Sequence, residues 1–188
     1  QALASMVLLD MIKERSIHAK IDEIILIEPS EVCLKRGALH LRRYNNDLLI
    51  KTIHKELDSL EQSDIKINPN NTKVHLFSNI LDVDRFSIIH LLSLLCETQK
   101  GENYFICVSP CIDDLRSSRL DAFYQYLFQK YDTQCFNTVT NVKSGEYWNC
   151  NHNYRFHNFC EKHPSCTPFD PYKNRWTRYE IVFKSFIN

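Results

Sequence analysis

Glycine is scarce in this sequence. Gly37, Gly101 and Gly145 are the three glycines among 188 residues, whereas an average protein contains roughly 7% glycine. A loop that cradles phosphate groups with its backbone needs several glycines close together, because only glycine leaves room for that approach. The sequence therefore excludes P-loop chemistry for these residues.

Long apolar runs and a net charge are also missing. The longest apolar stretches, MVLLDMI and SIIHLLSLLC, are much shorter than the ~20 residues that a membrane-spanning helix needs. No segment has the basic-then-apolar pattern of a secretory signal. Lys plus Arg and Asp plus Glu both number 23, so attraction to nucleic acid or to an anionic membrane would require a local patch. We expect no membrane contact.

Cysteine, in contrast, occurs eight times, and several of the cysteines lie within or beside apolar segments. Where a secretory signal is missing, reduced thiols are more common than disulfide bonds. We therefore expect a cytoplasmic protein with free thiols. Its length predicts a single domain over residues 1–188.

The pattern of apolar residues predicts alternating helices and strands. A continuous apolar run at Ile24–Ile27 is typical of a strand that is covered on both faces, and a helix at 2–14 that is apolar on most sides is expected to be buried. The predicted order is helix 2–14, strand 24–27, helix from 31, helix from 46 or 47, short strand 65–67, strand 74–81, helix 84–96, strand 104–108, helix 119–131, strand 134–142 and strand 178–187. This alternation predicts a three-layer α/β domain with a mostly parallel sheet. No helical pattern separates the last two strands, so we expect them to form an antiparallel pair at the sheet edge.

The first predicted strand ends abruptly in Glu28-Pro29-Ser30. Nucleotide-binding folds often end a strand on a carboxylate that holds a ribose, and many ordinary strands end this way because they reach the surface. Ser30 can cap the helix that follows, and Glu31 suits the positive end of that helix.

In the order of its elements the chain resembles the class I S-adenosylmethionine-dependent methyltransferases, which have a Rossmann-like fold. The segment QALASMVLLDMIKER is similar to helix A of that family, IDEIILIEPS to its strand 2, KVHLFSNILDV to its strand 4 and NYFICVSP to its strand 5. The last two strands are similar to its terminal hairpin. The resemblance implies S-adenosylmethionine (SAM) as the cofactor and methyl transfer to an acceptor that the sequence does not identify.

The resemblance also implies roles for individual residues. Glu28 would accept hydrogen bonds from the ribose hydroxyls of SAM, because one carboxylate accepts two O–H donors with charge assistance. Asn79 would orient the amine or hydroxyl of the acceptor, with Asp82 as a more distant catalytic candidate. The implied cofactor-binding residues are Glu28, Pro29, Ser30, Phe77, Ser78 and Asn79.

Strand 1 of the family and its Gly-rich turn are absent from residues 1–188. The resemblance therefore implies weak SAM binding by this chain, and the start inside a helical pattern leads us to expect a segment upstream of Gln1. Two other interpretations stay open: a methyltransferase-like scaffold without catalysis and a nicotinamide-type dinucleotide-binding domain. A purely structural interpretation of these residues is also open. In it, Glu28 is a strand end at the surface, Asn79 satisfies backbone groups, and Asp82 and Asp84 cap a helix.

Residues 143–177 differ in composition from the rest of the chain and form an insert before the last strand. Cys160, His163 and Cys166, together with Cys150 or else His152, could supply the four ligands of a zinc site, although their spacing matches no standard zinc finger. Residues 143–178 also contain more Lys and Arg than Asp and Glu, interleaved with aromatic residues. That mixture is typical of single-stranded nucleic-acid binding, and also of a small loop packed around its aromatic residues. The alternative function is a non-catalytic module that binds nucleic acid or a protein partner through this insert.

Overall fold

The computed structural model describes residues 2–44, 46–110, 114–140 and 178–188. The helices in these ranges are α1 (Leu3–Glu14), α2 (Glu31–Tyr44), α3 (Gln62–Ile65), α4 (Ile88–Thr98) and α5 (Asp114–Lys130), and a 3₁₀ turn spans Leu57–Ser59. The strands are β1 (Glu23–Ile27), β2 (Leu49–Ile53), β3 (Lys73–Ser78), β4 (Gly101–Pro110), β5 (Asp132–Thr140) and β6 (Arg178–Ile187).

The strands form two groups. β1 pairs with β2 in parallel. In the second group β3 pairs with β4 in parallel, and β6 lies antiparallel between β4 and β5. The predicted antiparallel pair is confirmed, but β6 lies inside this group of described strands, and β5 and β3 are its two outer strands. The fold is therefore α/β with mixed rather than purely parallel strands.

The main core lies between the larger group of strands and helices α4 and α5. Its centre is formed by Phe105 of β4, Phe123 of α5 and Phe183 of β6, each of which is 0% exposed. The Phe105 and Phe183 rings stack at 4.8 Å between centroids, and Phe123 meets Phe105 edge-on at 5.8 Å. Aromatic pairs in these arrangements contribute about 0.5–1.5 kcal/mol each beyond the burial of their area.

The side chains of β1 alternate between two layers of the fold, the main core on one face of the strand and α2 on the other. Ile25 and Ile27 pack against the main core. Leu26 instead lies against α2, because its Cδ1 atom is 3.5 Å from the position that a Cβ atom would occupy at Gly37. Because successive strand residues point to opposite faces, α2 and the main core lie on opposite sides of β1. The predicted three-layer arrangement is confirmed.

The prediction for residues 46–67 is wrong. Leu49, Ile53, Leu57 and Leu60 stand at helical spacing, but Leu49–Ile53 is a strand that pairs residue by residue with β1. The β-branched side chains of this segment suit a pleated surface, and the neighbouring strand supplies the backbone partners. The short strand predicted at 65–67 is also wrong, since Gln62–Ile65 forms a helix.

Helix α1 is less buried than its composition predicts. Leu9 is its buried residue, while Leu3, Val7 and Met11 are 67%, 48% and 40% exposed. These three residues repeat every fourth position and so line one face of the helix. The opposite face contacts α2 and β3, so α1 bridges the two groups of strands.

Within the described residues, β1 and β3 each have a strand neighbour on one side. Glu28 N–H donates to the Ile53 carbonyl at 3.2 Å, and Asn79 N–H donates to the Val108 carbonyl at 2.7 Å. Because backbone groups alternate between the two edges of a strand, those of Ile25 and Ile27 face away from β2. The same alternation turns the backbone of Val74 and Leu76 away from β4.

Two glycines allow a matched test of the backbone. Gly101 has φ of +92°, and an added Cβ would lie 2.3 Å from the Pro69 carbonyl oxygen, whereas at Gly37 it would lie 3.4 Å from Ala2 Cβ. We expect Gly101→Ala to lower the free energy of unfolding by more than about 2 kcal/mol. Gly37→Ala should raise it by about 0.5–1 kcal/mol, because alanine is favoured inside helices. Urea unfolding of both variants checks this, and shifts of the same sign would contradict it.

Candidate active site

The candidate site consists of residues beyond the carboxyl ends of β1, which is parallel to β2, and of the parallel pair β3 and β4. Glu28 follows β1, Asn79 follows β3, and Ser109 lies near the end of β4. Open α/β sheets bind their ligands at this end. Each of these residues therefore lies at the carboxyl end of its own strand.

Glu28 is half-buried and held by a local hydrogen bond. Its Oε1 atom accepts from the backbone N–H of Ser30 at 3.0 Å, and its second oxygen has no hydrogen-bond partner among the described residues. Ser30 begins α2 as predicted: its hydroxyl accepts from Cys33 N–H at 3.4 Å and its carbonyl accepts from Leu34 N–H at 2.9 Å. One carboxylate oxygen thus fixes the turn between β1 and α2.

Pro29 is exposed and is fixed by a residue that sequence reasoning missed. His54, one residue beyond β2, contacts the Pro29 carbonyl through Nε2 at 2.8 Å. A carbonyl only accepts, so Nε2 carries the proton in this contact. The pairing of β1 with β2 brings these residues together, although 25 positions separate them.

Asn79 adopts a left-handed backbone conformation, with φ of 56°. Asn tolerates this region better than most residues do. Its side chain and that of Ser78 are exposed, while Phe77 is half-buried and meets Phe123 edge-on at 5.4 Å. Phe77 therefore contributes to the core as well as to the end of the strand.

Asp82 is buried and accepts a hydrogen bond from the Ser109 hydroxyl at 3.0 Å. This contact joins the loop after β3 to the end of β4. Neither Asp82 nor Asp84 caps α4, because that helix begins at Ile88 and Ser87 accepts from His90 N–H. The predicted helix start at Asp84 is wrong, since Ser87 offers a hydroxyl at the required distance from the first turn.

The structure joins Asn79 and Asp82 through one loop and the end of β4. In the described part of the chain, no hydrogen bond or ring contact links that loop to Glu28. Glu28 is thus attached to one group of strands, and Asn79 and Asp82 to the other. The distance between them depends on how the two groups pack.

A buried polar cluster lies at the opposite end of β3 and β4. Asn103 donates through Nδ2 to the carbonyls of Gln99 and Gly101 at 2.7 and 2.8 Å, so its Oδ1 atom accepts from His75 Nε2 at 2.9 Å. The His75 ring stacks on Phe105 at 4.6 Å. Burial lowers the pKa of His75 to about 4, against the raising effect of the Asn103 hydrogen bond and helped by repulsion from Lys73.

The predicted zinc ligands, Cys150, Cys160, His163 and Cys166, lie outside the described residues, and so does almost all of the 143–178 nucleic-acid segment. Over the ranges that the structure does describe, no group of three or more His, Cys, Asp or Glu side chains could hold a metal ion. No helix in those ranges is both long and apolar enough to cross a membrane.

Comparison with solved structures identifies the fold. A structure described as StiE O-MT residues 961–1257 aligns over 95% of this chain and 63% of its own, with a TM-score of 0.51 and 10% identity. A protein from Clostridium thermocellum that is assigned as an rRNA-methylase aligns over 94% of this chain and 82% of its own, with a TM-score of 0.50 and 10% identity. The chain has a class I methyltransferase-like fold. The resemblance stated from the sequence is therefore confirmed at the level of the fold.

Other comparisons add little. A SAM-dependent methyltransferase from Archaeoglobus fulgidus aligns over 96% of this chain and 94% of its own, with a TM-score of 0.43 and 13% identity. No family model matches the sequence, and no curated protein matches it significantly. The chain spans 63% of the StiE structure, less than two thirds. Activity, substrate and partners are consequently matters for proposal.

We expect the contact between Asp82 and Ser109 to stabilise this methyltransferase-like fold. Asp82→Ala would leave the buried Ser109 hydroxyl unpaired and should lower the free energy of unfolding by about 1–3 kcal/mol. Asp84, which is exposed in the same loop, provides the control: Asp84→Ala should change it by less than about 0.5 kcal/mol. A double-mutant cycle with Ser109→Ala measures the coupling, and additivity of the two substitutions would show that the hydrogen bond contributes nothing.

His75 should make stability depend on pH. Because its pKa is about 4 in the folded protein and about 6.5 in the unfolded chain, the unfolded chain binds more protons between these values. Stability is therefore complete above about pH 6.5 and falls as the pH drops towards 4, by up to roughly 3 kcal/mol. Urea unfolding across this window checks it. His75→Gln should flatten the slope, whereas a change at exposed His18 should not. Equal slopes in wild type and His75→Gln would refute the assignment.

Proposed function

We propose that this chain carries the ribose side and the acceptor side of a SAM-dependent methyltransferase site, and that it serves methyl transfer to an acceptor still to be identified. The observation that carries this proposal is the carboxylate of Glu28. It lies at the junction of β1 and α2 in a methyltransferase-like fold, and one of its oxygens has no partner among the described residues.

The surroundings of Glu28 favour a ligand over a purely structural role. No Lys or Arg contacts Glu28 within the described residues, so no cation there competes with a ligand for its carboxylate. The single bond from Ser30 N–H orients the carboxylate without neutralising it. A ribose presents two adjacent hydroxyl groups, and hydrogen bonds from hydroxyls to a carboxylate are strengthened by its charge.

The residues present fit the ribose part of SAM and leave its methionine part without a matching turn. The three glycines of the sequence are far apart, so no glycine-rich loop of this chain can approach the cofactor closely. The proposal therefore requires a further segment to complete the site. Among the residues that the structure describes, the edge of β1 away from β2 and the edge of β3 away from β4 have no strand partner, so such a segment has two backbone edges with which to pair.

Little side-chain chemistry is required of the chain. SAM supplies a methyl group that is already activated by its sulfonium, so the protein has mainly to hold the reactants in line. Asn79 offers an exposed amide that can accept from or donate to an acceptor's amine or hydroxyl. Phe77 and Ser78 precede that amide at the end of β3, which the proposal assigns to the side of the cofactor and acceptor, and Asp82 supports the loop through Ser109.

Calorimetry with SAM tests the proposal. We expect a chain extended upstream of Gln1 by its natural sequence to bind SAM more tightly than residues 1–188 do. Glu28→Ala in the extended chain should weaken binding about 10- to 100-fold, because hydrogen bonds to a charged group contribute about 1.5–3 kcal/mol. Glu28→Gln should weaken it less.

Glu23 provides the matched control, since it is an exposed carboxylate at the other end of the same strand. Glu23→Ala should leave the affinity unchanged. Absence of SAM binding by both chains would overturn the proposal and leave the alternative, a non-catalytic module that acts through residues 143–178.

A further inference from the structure

The loop at residues 79–87, between β3 and α4, is anchored to three different elements. Towards β4, Asn79 N–H donates to the Val108 carbonyl and Asp82 accepts from Ser109. Towards the 3₁₀ turn, Ser87 N–H donates to Asp58 Oδ1 at 2.9 Å. The third anchor comes from α5, and sequence reasoning gave it no role.

That third anchor is Arg119. Its Nε atom donates to the Leu81 carbonyl at 3.2 Å, and its Nη2 atom donates to the Phe86 carbonyl at 2.9 Å. Its guanidinium carbon lies 5.2 Å from the centroid of the Phe86 ring. No carboxylate contacts the guanidinium within the described residues, so its described hydrogen bonds go to the main chain of this loop.

The geometry of this contact depends on arginine in particular. A planar guanidinium presents its donors in a rigid fork and stacks on aromatic rings, whereas the lysine ammonium is a single point on a flexible stem. Two carbonyls five positions apart in the sequence are held by one rigid group. Arg119 thereby holds the loop near its start, at Leu81, and near its end, at Phe86.

We infer that Arg119 is a positioning residue that holds the loop at residues 79–87 and so fixes Asn79 on the acceptor side of the site. A left-handed conformation at a residue other than glycine persists where the surrounding structure enforces it. Arg119 donates a hydrogen bond to the carbonyl of Leu81, two residues beyond Asn79, and the Leu81 side chain is 0% exposed. The role of Asn79 towards an acceptor rests on the proposed function, whereas the contact of Arg119 with the loop does not depend on it.

A purely structural role for Arg119 predicts a different result from a local one. Loss of general stability would speed hydrogen exchange throughout the molecule, whereas loss of a local anchor would speed it in this loop alone. Two amides report on the loop, because Asn79 N–H donates to the Val108 carbonyl and Val83 N–H donates to the Ile80 carbonyl.

Amide hydrogen exchange followed by NMR therefore tests the inference. In Arg119→Met we expect the Asn79 and Val83 amides to exchange at least about tenfold faster, with the amides between β4 and β6 unchanged. Arg119→Lys should give most of the same effect, because lysine cannot hold both carbonyls. Arg85→Met is the matched control, since Arg85 is an exposed arginine of the same loop, and it should change nothing.

Unchanged exchange in Arg119→Met, or equal acceleration throughout the protein, would overturn the inference. Millimolar methylguanidinium added to Arg119→Ala should restore the protection of the Asn79 and Val83 amides from exchange, and failure of this rescue would count against the inference.

Calorimetry separates the two proposals: in the upstream-extended chain, Arg119→Met should keep the SAM affinity within about twofold. Loss of that affinity would place Arg119 on the cofactor side and overturn the assignment to the acceptor side, whereas failure of wild type to bind SAM would overturn the proposed function and leave the exchange result standing.

Discussion

The pairing of β4 with β6 is the interaction on which the rest of the described structure depends. It extends over ten residues of each strand and brings Phe105 and Phe183 into the stack against which Phe123 packs. The same two strands therefore form the sheet and fix α5. Because β4 also carries Val108 and Ser109, the position of the candidate acceptor loop follows from the position of this strand.

Polar contacts organise the two ends of β3 and β4 in different ways. At the amino end, Lys73 donates to the carbonyls of Pro69 and Lys100, and Asn103 and Gln99 bond to nearby main chain. The acceptors in that cluster are uncharged, Gln99 Oε1 is buried without a hydrogen-bond partner among the described residues, and burial lowers the pKa of Lys73. At the carboxyl end, Glu28 and Asn79 have side-chain groups with no partner among the described residues. In the part of the chain that the structure describes, Glu28 and Asn79 thus each present a polar side chain just beyond the carboxyl end of a strand.

The sequence predicts those features that depend on local pattern. Strand β6 has the predicted limits, because Tyr179, Ile181 and Phe183 alternate with polar residues and all three are buried. Strand β2 was missed because Leu49 and Ile53 fit a helical period equally well, and the partner that decides the matter, β1, lies more than twenty residues away. The position of Glu28 between a strand and a helix agrees with the prediction, because a strand end and a helix cap are adjacent in the chain. Arg119 could not be found, since its contact with Leu81 spans 38 positions and nothing in α5 marks it.

The free edges of β1 and β3 have a consequence for how the chain behaves by itself. An unpaired strand edge is a template for any other strand, and proteins usually protect such edges with bulges, charges or proline. Edge strand β5 has a bulge between Cys135 and Asn137. Neither the Ile25–Ile27 edge of β1 nor the Val74–Leu76 edge of β3 has such protection within the described residues. Within the described residues these two edges are therefore the places where the backbone is open to pairing with a further strand, whether from elsewhere in the chain or from a second copy of it.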